Sequence, residues 1–214
     1  MSLVTLTDPR SPVSEAYRAL RTNLSFYSLD NPIETLVVTS AEPNEGKSTT
    51  VANLAVTLAQ AGNRTILVDC DLRKPAIHTL FDVANGEGFS DMVLNDGKMP
   101  LVDTQVENLR LLTSGTKAPN PADLLGSRKC DAVIARLKAE ADIVLFDAPP
   151  VIAVTDAVVL GAKVDGVLLV LQAGKSRRDH AERAKQLLEQ AKVRIVGATL
   201  TNAPKDDAVG DYYG

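Results

Sequence analysis

Six short apolar runs punctuate the chain: 35–40 (TLVVTS), 65–70 (TILVDC), 109–113 (LRLLT), 142–147 (DIVLFD), 166–171 (GVLLVL) and 193–200 (VRIVGATL). Their nearly continuous Val, Ile and Leu content predicts strands buried on both faces of a parallel sheet. Between them, 48–61, 128–139, 154–162 and 177–191 read as helices, with Gly62 placed to close the first as a C-cap. The alternation predicts an α/β, doubly wound, mostly parallel architecture. Ahead of it, Val13, Tyr17, Leu20, Leu24 and Tyr27 recur at three- and four-residue steps on one face of a helix that ends near Asn31 and Pro32. Glu15, Arg18 and Arg21 form a second, charged stripe. The chain thus divides into an N-terminal helical segment (1–32), the α/β domain (33–202) and a polar, aperiodic tail (203–214) that is expected to be mobile.

Composition narrows the class. With 214 residues, 45% hydrophobic and 23% charged, the chain is neither disordered nor fibrous. A chain of this length buries roughly 70% of its unfolded surface without staples or metals. A net charge of -4 argues against a protein that coats nucleic acid. Cys70 and Cys130 belong to no CxxC or His/Cys cluster, so neither a disulfide framework nor a zinc site is indicated, and a reducing cytoplasm is the expected setting. Because no run approaches about 18 apolar residues and the first residues lack a basic, then apolar, leader pattern, the chain is expected neither to span a membrane nor to carry a secretion signal.

The candidate chemistry begins directly after the first predicted strand, where Ser40-Ala-Glu-Pro-Asn-Glu-Gly-Lys-Ser-Thr49 leads into a helix. This is the strand, loop, GK[ST], helix context of a phosphate loop. Backbone N–H groups after Pro43, through Asn44, Glu45, Gly46, Lys47 and Ser48, are expected to line one concavity, with the helix N-terminus adding partial positive charge. A nucleoside triphosphate is the natural guest. Lys47 would bridge its β- and γ-phosphates, Ser48 would offer a hydroxyl to Mg²⁺, Gly46 would let the backbone approach closely, and Thr49 would reach the α-phosphate. Ala41 stands where the strict pattern has glycine.

Two predicted strands end in acid, at Asp69 and Asp71 and at Asp147. Ligands in open α/β sheets bind at the carboxyl ends of strands, so these carboxylates should converge on the phosphate loop. Asp147, after a run of apolar residues, has the position of a carboxylate that holds Mg²⁺ directly or through water. Asp69 and Asp71, two apart, would point the same way on an extended strand. One would hold metal-bound water and the other would accept a proton from an attacking hydroxyl; the residues alone do not divide the roles. Cys70 between them reads as a small buried apolar residue.

AEPNEGKST, ILVDCDLRKP, IVLFDAPPV and the terminal YYG resemble, in order and spacing, the bacterial tyrosine kinases of capsular and exopolysaccharide synthesis. That family lies within the deviant-Walker ATPase-like P-loop NTPases. Partitioning members of the class place a signature lysine where this chain has Glu42. The resemblance implies an ATP-dependent protein-tyrosine kinase that autophosphorylates its tail in trans, with ATP and Mg²⁺ as cofactors. Carried onto this sequence, Lys47 and Ser48 would hold phosphates and metal, Asp71 and Asp147 the Mg²⁺ sphere, and Asp69 the tyrosine hydroxyl. Asn202 sits where related ATPases contact adenine. Glu15, Arg18 and Arg21 match the motif that implies subunit contacts in a homo-oligomeric ring. Tyr212 and Tyr213 would be the phosphoacceptors, beside Asp206, Asp207 and Asp211. The resemblance also implies a membrane-anchored activator, a polysaccharide co-polymerase protein that recruits the cytoplasmic kinase to the inner face of the plasma membrane, and further protein substrates, with no role for nucleic acid. Two alternatives remain: a partitioning-type ATPase, and a non-catalytic ATP-binding regulatory subunit.

Overall fold

The structure, a computed structural model, describes residues 3–29, 32–95 and 97–204. In chain order its elements are α1 (Val4–Thr7), α2 (Pro12–Tyr27), β1 (Thr35–Ser40), α3 (Lys47–Gln60), β2 (Thr65–Asp69), α4 (Ile77–Leu80), α5 (Phe89–Asn95), β3 (Val102–Asp103), β4 (Leu109–Leu112), α6 (Pro121–Gly126), α7 (Arg128–Glu140), β5 (Ile143–Asp147), α8 (Asp156–Gly161), β6 (Gly166–Gln172), α9 (Arg178–Gln190) and β7 (Ile195–Thr201). All six predicted strands are present, to within two residues at each end. The sequence pattern does not signal β3, a two-residue edge strand, or the short helices α1, α4, α5 and α6. Elements this brief carry no period to read.

The sheet runs β3-β4-β2-β5-β1-β6-β7, and every pairing is parallel except β3 with β4. Alternate residues of each strand serve opposite faces. Leu36 and Val38 of β1 join α1, α3 and α4 in one buried cluster. Val37 joins α5, α6, α7, α8 and α9 in the other. The central strands are buried on both sides, so the sheet is doubly wound. After β1 the chain passes to β2, two places away on one side, and the later β6 adds on the other. The carboxyl end of β1 is therefore the switch point of strand order, where open sheets leave a crevice.

The N-terminal segment packs onto α3. Leu3 is buried, Leu20 and Leu24 lie against the same cluster, and the Thr5 N–H and hydroxyl both donate to Asn53 Oδ1 (3.1 and 2.8 Å). α2 begins with Ser11 accepting the Ser14 N–H and Pro12 in the first turn. The face expected to be apolar is only partly covered: Val13 is 50% and Tyr27 43% exposed. The Arg194 guanidinium lies over the Tyr27 ring, 4.8 Å from its centre. Of the charged stripe, Arg18 pairs with Glu15 (2.6 Å), and Arg21 donates to the Thr57 carbonyl of α3 (2.9 Å). Gly62 closes α3 at φ 92°, a left-handed conformation that favours glycine. Tyr212 and Tyr213, with most of the expected tail, lie outside the described residues. Among the described residues no helix is long and apolar enough to cross a membrane.

Candidate active site

The loop between β1 and α3 is braced from behind. Asn44 and Gly46 take positive φ (61° and 91°), which turns the chain sharply into α3. Gly46 caps the helix without a side chain, so the first-turn N–H groups are left for an anion. A Cβ on Gly46 would stand 3.2 Å from the Thr201 methyl, so glycine also lets β7 approach. The Glu45 carboxylate turns inward and is buried. It accepts the Glu42 N–H (2.8 Å) and the Ser176 hydroxyl, while Thr201 donates to the Glu45 carbonyl (2.7 Å). Glu45, expected among the nucleotide-binding residues, is not among those that line the cleft, and its side chain anchors the loop to the β6 to α9 connection. Pro43, Asn44, Gly46, Lys47, Ser48 and Thr49 line the cleft itself, a hollow of about 530 Å³. Pro149, Pro150 and the 71–76 turn form the facing walls.

The expected cluster assembles around Lys47. Its Nζ lies 2.8 Å from Asp71 Oδ2, 3.2 Å from Asp147 Oδ1 and 3.1 Å from Ser48 Oγ. Ser48 donates its hydroxyl to Asp147 Oδ2 at 2.5 Å. Burial works against the charge on Lys47, but Asp147 and Asp71 outweigh it and hold its pKa above the ordinary lysine value. Asp69 pairs in register with Asp147 across β2 and β5 and, like it, is completely buried. Burial, then the neighbouring Asp147 charge, pushes Asp69 up to about 7, against the N–H groups of Ile77 and Ala76 that bind its Oδ2 at 3.0 and 2.9 Å. Burial also raises Asp147, against the pull of Lys47.

One geometric expectation changes. β2 ends at Asp69, and the Asp71 N–H donates back to Asp69 Oδ1 (3.2 Å), so a turn rather than an extended strand relates the two acids. Asp71 lines the cleft, whereas Asp69 sits behind it. Asn202 is exposed at φ 53°, just past β7, and is not among the cleft-lining residues. Cys70 and Cys130 are buried free thiols, as apolar packing requires; burial pushes Cys130 up to about 12 and Cys70 well above its usual range.

Two supporting residues escape sequence reasoning. Asp156, fully buried, takes both Nε and Nη2 of Arg73 (2.8 and 3.0 Å) and fixes the turn after Asp71. Ser176 secures Glu45. Asp156 lies in the first turn of the helix predicted over 154–162, where an acid is ordinary, and no local signal links it to a residue 83 positions away.

The donor set fits a magnesium nucleotide. Ser48, Asp71 and Asp147 offer only hard oxygens, and two carboxylates face one ammonium, leaving negative charge for a divalent cation to offset. Among the described residues no three His, Cys, Asp or Glu side chains form a cage by themselves. Mg²⁺ held partly by phosphates and water does not require one.

A strand, tight loop and helix that deliver Lys47 and Ser48 to the carboxylate ending the adjacent strand define a P-loop NTPase. Comparison with known proteins narrows this. The ParA family, described as NUBPL iron-transfer P-loop NTPase, matches residues 32–202. Tyrosine-protein kinase YwqD of Bacillus subtilis (strain 168) is 41% identical over 217 residues, spanning 100% of this chain and 91% of that protein. The crystal structure of the chimerical protein CapA2B2 superposes with a TM-score of 0.91 at 37% identity, over 95% of this chain and 90% of that one. The kinase domain of Escherichia coli tyrosine kinase ETK does so with a TM-score of 0.91 at 31% identity, over 96% and 82%. The chain belongs to the ParA-type P-loop NTPases and, within them, to the bacterial tyrosine-protein kinases.

Proposed function

We propose that this kinase uses ATP and Mg²⁺ to phosphorylate Tyr212 and Tyr213 of a neighbouring copy, and that it serves capsule or exopolysaccharide production. The observation that carries this reading is the Lys47 ammonium bracketed by Asp71 and Asp147 at the mouth of the phosphate loop, with the Asp69 carboxyl tuned to about 7 behind it. Backbone N–H groups from Asn44 to Thr49 and the Lys47 charge would seat the phosphates, Asn202 would contact the adenine, and Ser48, Asp71 and Asp147 would hold the metal. When bound, Mg²⁺ supplies neutralisation of charge on the transferring phosphoryl group. Reached past Asp71 from the cleft, Asp69 would take the proton as the tyrosine oxygen bonds to the γ-phosphorus and ADP departs with the electron pair of the broken bond. A base titrating near 7 suits this step. Positioning does most of the remaining work, because phosphoryl transfer asks little covalent chemistry of the protein.

The names of CapB and of the CapA2B2 chimera support a capsule setting and a membrane activator, which would bring this chain to the inner face of the plasma membrane. The Glu15, Arg18 and Arg21 stripe, beside the half-exposed Val13 and Tyr27, supports a ring of subunits through α2. About a dozen tail residues can stretch some 40 Å, enough to reach a neighbour's cleft. Two phosphates would add roughly -3 to -4 charge beside Asp206, Asp207 and Asp211, which would expel the tail and loosen the ring. The test is incubation with Mg²⁺ and ATP, with and without the cytosolic segment of a membrane protein encoded alongside, followed by mass spectrometry. Phosphate on Tyr212 or Tyr213 that disappears in Lys47→Met is the expected result. ATP turnover without phosphotyrosine, even with the activator, overturns it in favour of an ATPase; nucleotide binding with neither activity overturns it in favour of a regulatory subunit.

A further inference from the structure

Three cationic side chains line the cleft, and two of them are already committed. Lys47 is bound to Asp71 and Asp147. Arg73 gives its guanidinium edge to the buried Asp156 carboxylate. Lys74 lines the same cleft and is exposed, and its ammonium meets no anionic partner among the described residues. Its root is nevertheless fixed. The Lys74 N–H donates to Asp71 Oδ1 at 3.0 Å, closing a turn, and the adjacent Arg73 is tethered to α8. An ammonium on a flexible stem is therefore anchored three residues from the carboxylate that faces the reaction centre. Asp71 is the only acid among the cleft-lining residues, and it is occupied by Lys47.

The segment that would enter this cleft carries the complementary charge. Residues 205–214 read KDDAVGDYYG, three aspartates against one lysine, with Asp211 directly before Tyr212. Resting on the reading of this tail as the phosphoacceptor, we propose that Lys74 is the residue that selects acidic tyrosine peptides, pairing with the carboxylate just before the target tyrosine of a second copy of this chain. Asp206 and Asp207 add attraction at longer range, screened beyond about 8 Å at physiological salt. The interaction is solvent-exposed and hence modest, and it acts on peptide binding rather than on the phosphoryl step.

The test uses the full-length chain carrying Tyr212→Phe and Tyr213→Phe, so that it cannot label its own tail. It is given Mg²⁺, ATP, the activator segment and synthetic peptides of residues 203–214 that keep Asp211 or carry Asp211→Lys. With Lys74 present, the Asp211 peptide should have the lower KM. Lys74→Gln should raise its KM by about fivefold and Lys74→Glu by about tenfold, the size of losing and then reversing an exposed charge pair, with kcat little changed. Lys74→Glu should recover on the Asp211→Lys peptide, a rescue that a misfolded variant does not show. Equal KM values for both peptides in all three enzymes would overturn the proposal. So would a loss in Lys74→Glu that falls equally on both peptides. If the Lys74 enzyme phosphorylates neither peptide, the tail reading itself fails and this proposal falls with it.

Discussion

The two ends of the central strands use the same residue type in opposite ways. At the amino ends, each aspartate is surrounded by donors. Asp165 Oδ2 accepts the Glu34 and Thr35 N–H groups (3.0 and 2.9 Å) and the Thr35 hydroxyl (2.7 Å), and these bonds overcome partial burial to hold its pKa below the ordinary carboxylate range. Asp142 is lowered by the Arg64 side chain, which it meets at 2.6 Å, and by the Arg64 N–H. At the carboxyl ends, Asp69 and Asp147 are fully buried side by side, and both are raised. One end staples the sheet together. The other gathers like charges that would stabilise the fold better if they were absent, an arrangement that makes physical sense only where chemistry needs it. Strand direction creates the difference, because only the carboxyl ends open into the crevice at the switch point.

The largest test of this contrast is Asp69→Asn. Phosphotyrosine formation should fall by about 10²- to 10⁴-fold if Asp69 is the base, and the wild-type rate should rise with pH through about 7, since a protonated carboxyl cannot take the tyrosine proton. Stability should move the other way. The native state holds a proton on Asp69 between the ordinary aspartate value of 3.8 and about 7, whereas the unfolded chain has lost it. Wild-type stability therefore falls across that window as pH rises, and the asparagine variant lacks this loss. Urea titrations at pH 5 and 8 should show Asp69→Asn gaining on the wild type by on the order of 2 kcal/mol between the two. A gap that does not widen with pH would break the comparison.

Asp165→Ala should do the reverse at the other end. Stability near pH 7 should drop by about 1–2 kcal/mol as two N–H groups and a hydroxyl lose their acceptor. Because the native pKa is lowered, wild-type Asp165 stabilises above the ordinary carboxylate range and loses that contribution as pH falls through its native value. Urea midpoints of variant and wild type should accordingly converge in acid, and nucleotide affinity should stay the same. Arg64→Ala should have the smallest effect. Its pair with Asp142 is solvent-exposed, so the urea midpoint should not move measurably, and a clear shift would show that this end is a stronger staple than its exposure implies.

Much of the site is legible in the sequence because its signals are local. The GKST turn, the acid after an apolar run and the strand spacing are each written within a few residues, and the structure brings Lys47, Ser48, Asp71 and Asp147 together. The β2 exit is less legible. Apolar periodicity carries TILVDC through Cys70, but the strand stops at Asp69, because its carboxylate competes for the Asp71, Ala76 and Ile77 N–H groups and folds the chain into a turn. The inward face of Glu45 is likewise hidden: a charged residue in a glycine-containing loop reads as solvated, yet it is buried against Ser176, 131 positions away.

The sequence by itself determined the doubly wound plan, the phosphate loop and which side chains gather at it, since each follows from short-range periodicity or from a motif whose chemistry needs those residue types in that order. Tertiary structure alone decided that Asp69 lies behind the cleft while Asp71 lines it, that Asp156 clamps Arg73 and leaves Lys74 as the uncommitted cation, and that burial beside Asp147 pushes Asp69 up to about 7. Those properties depend on burial and on partners distant in the chain, and a carboxylate's environment in a folded protein is set by what packs around it rather than by its neighbours in sequence.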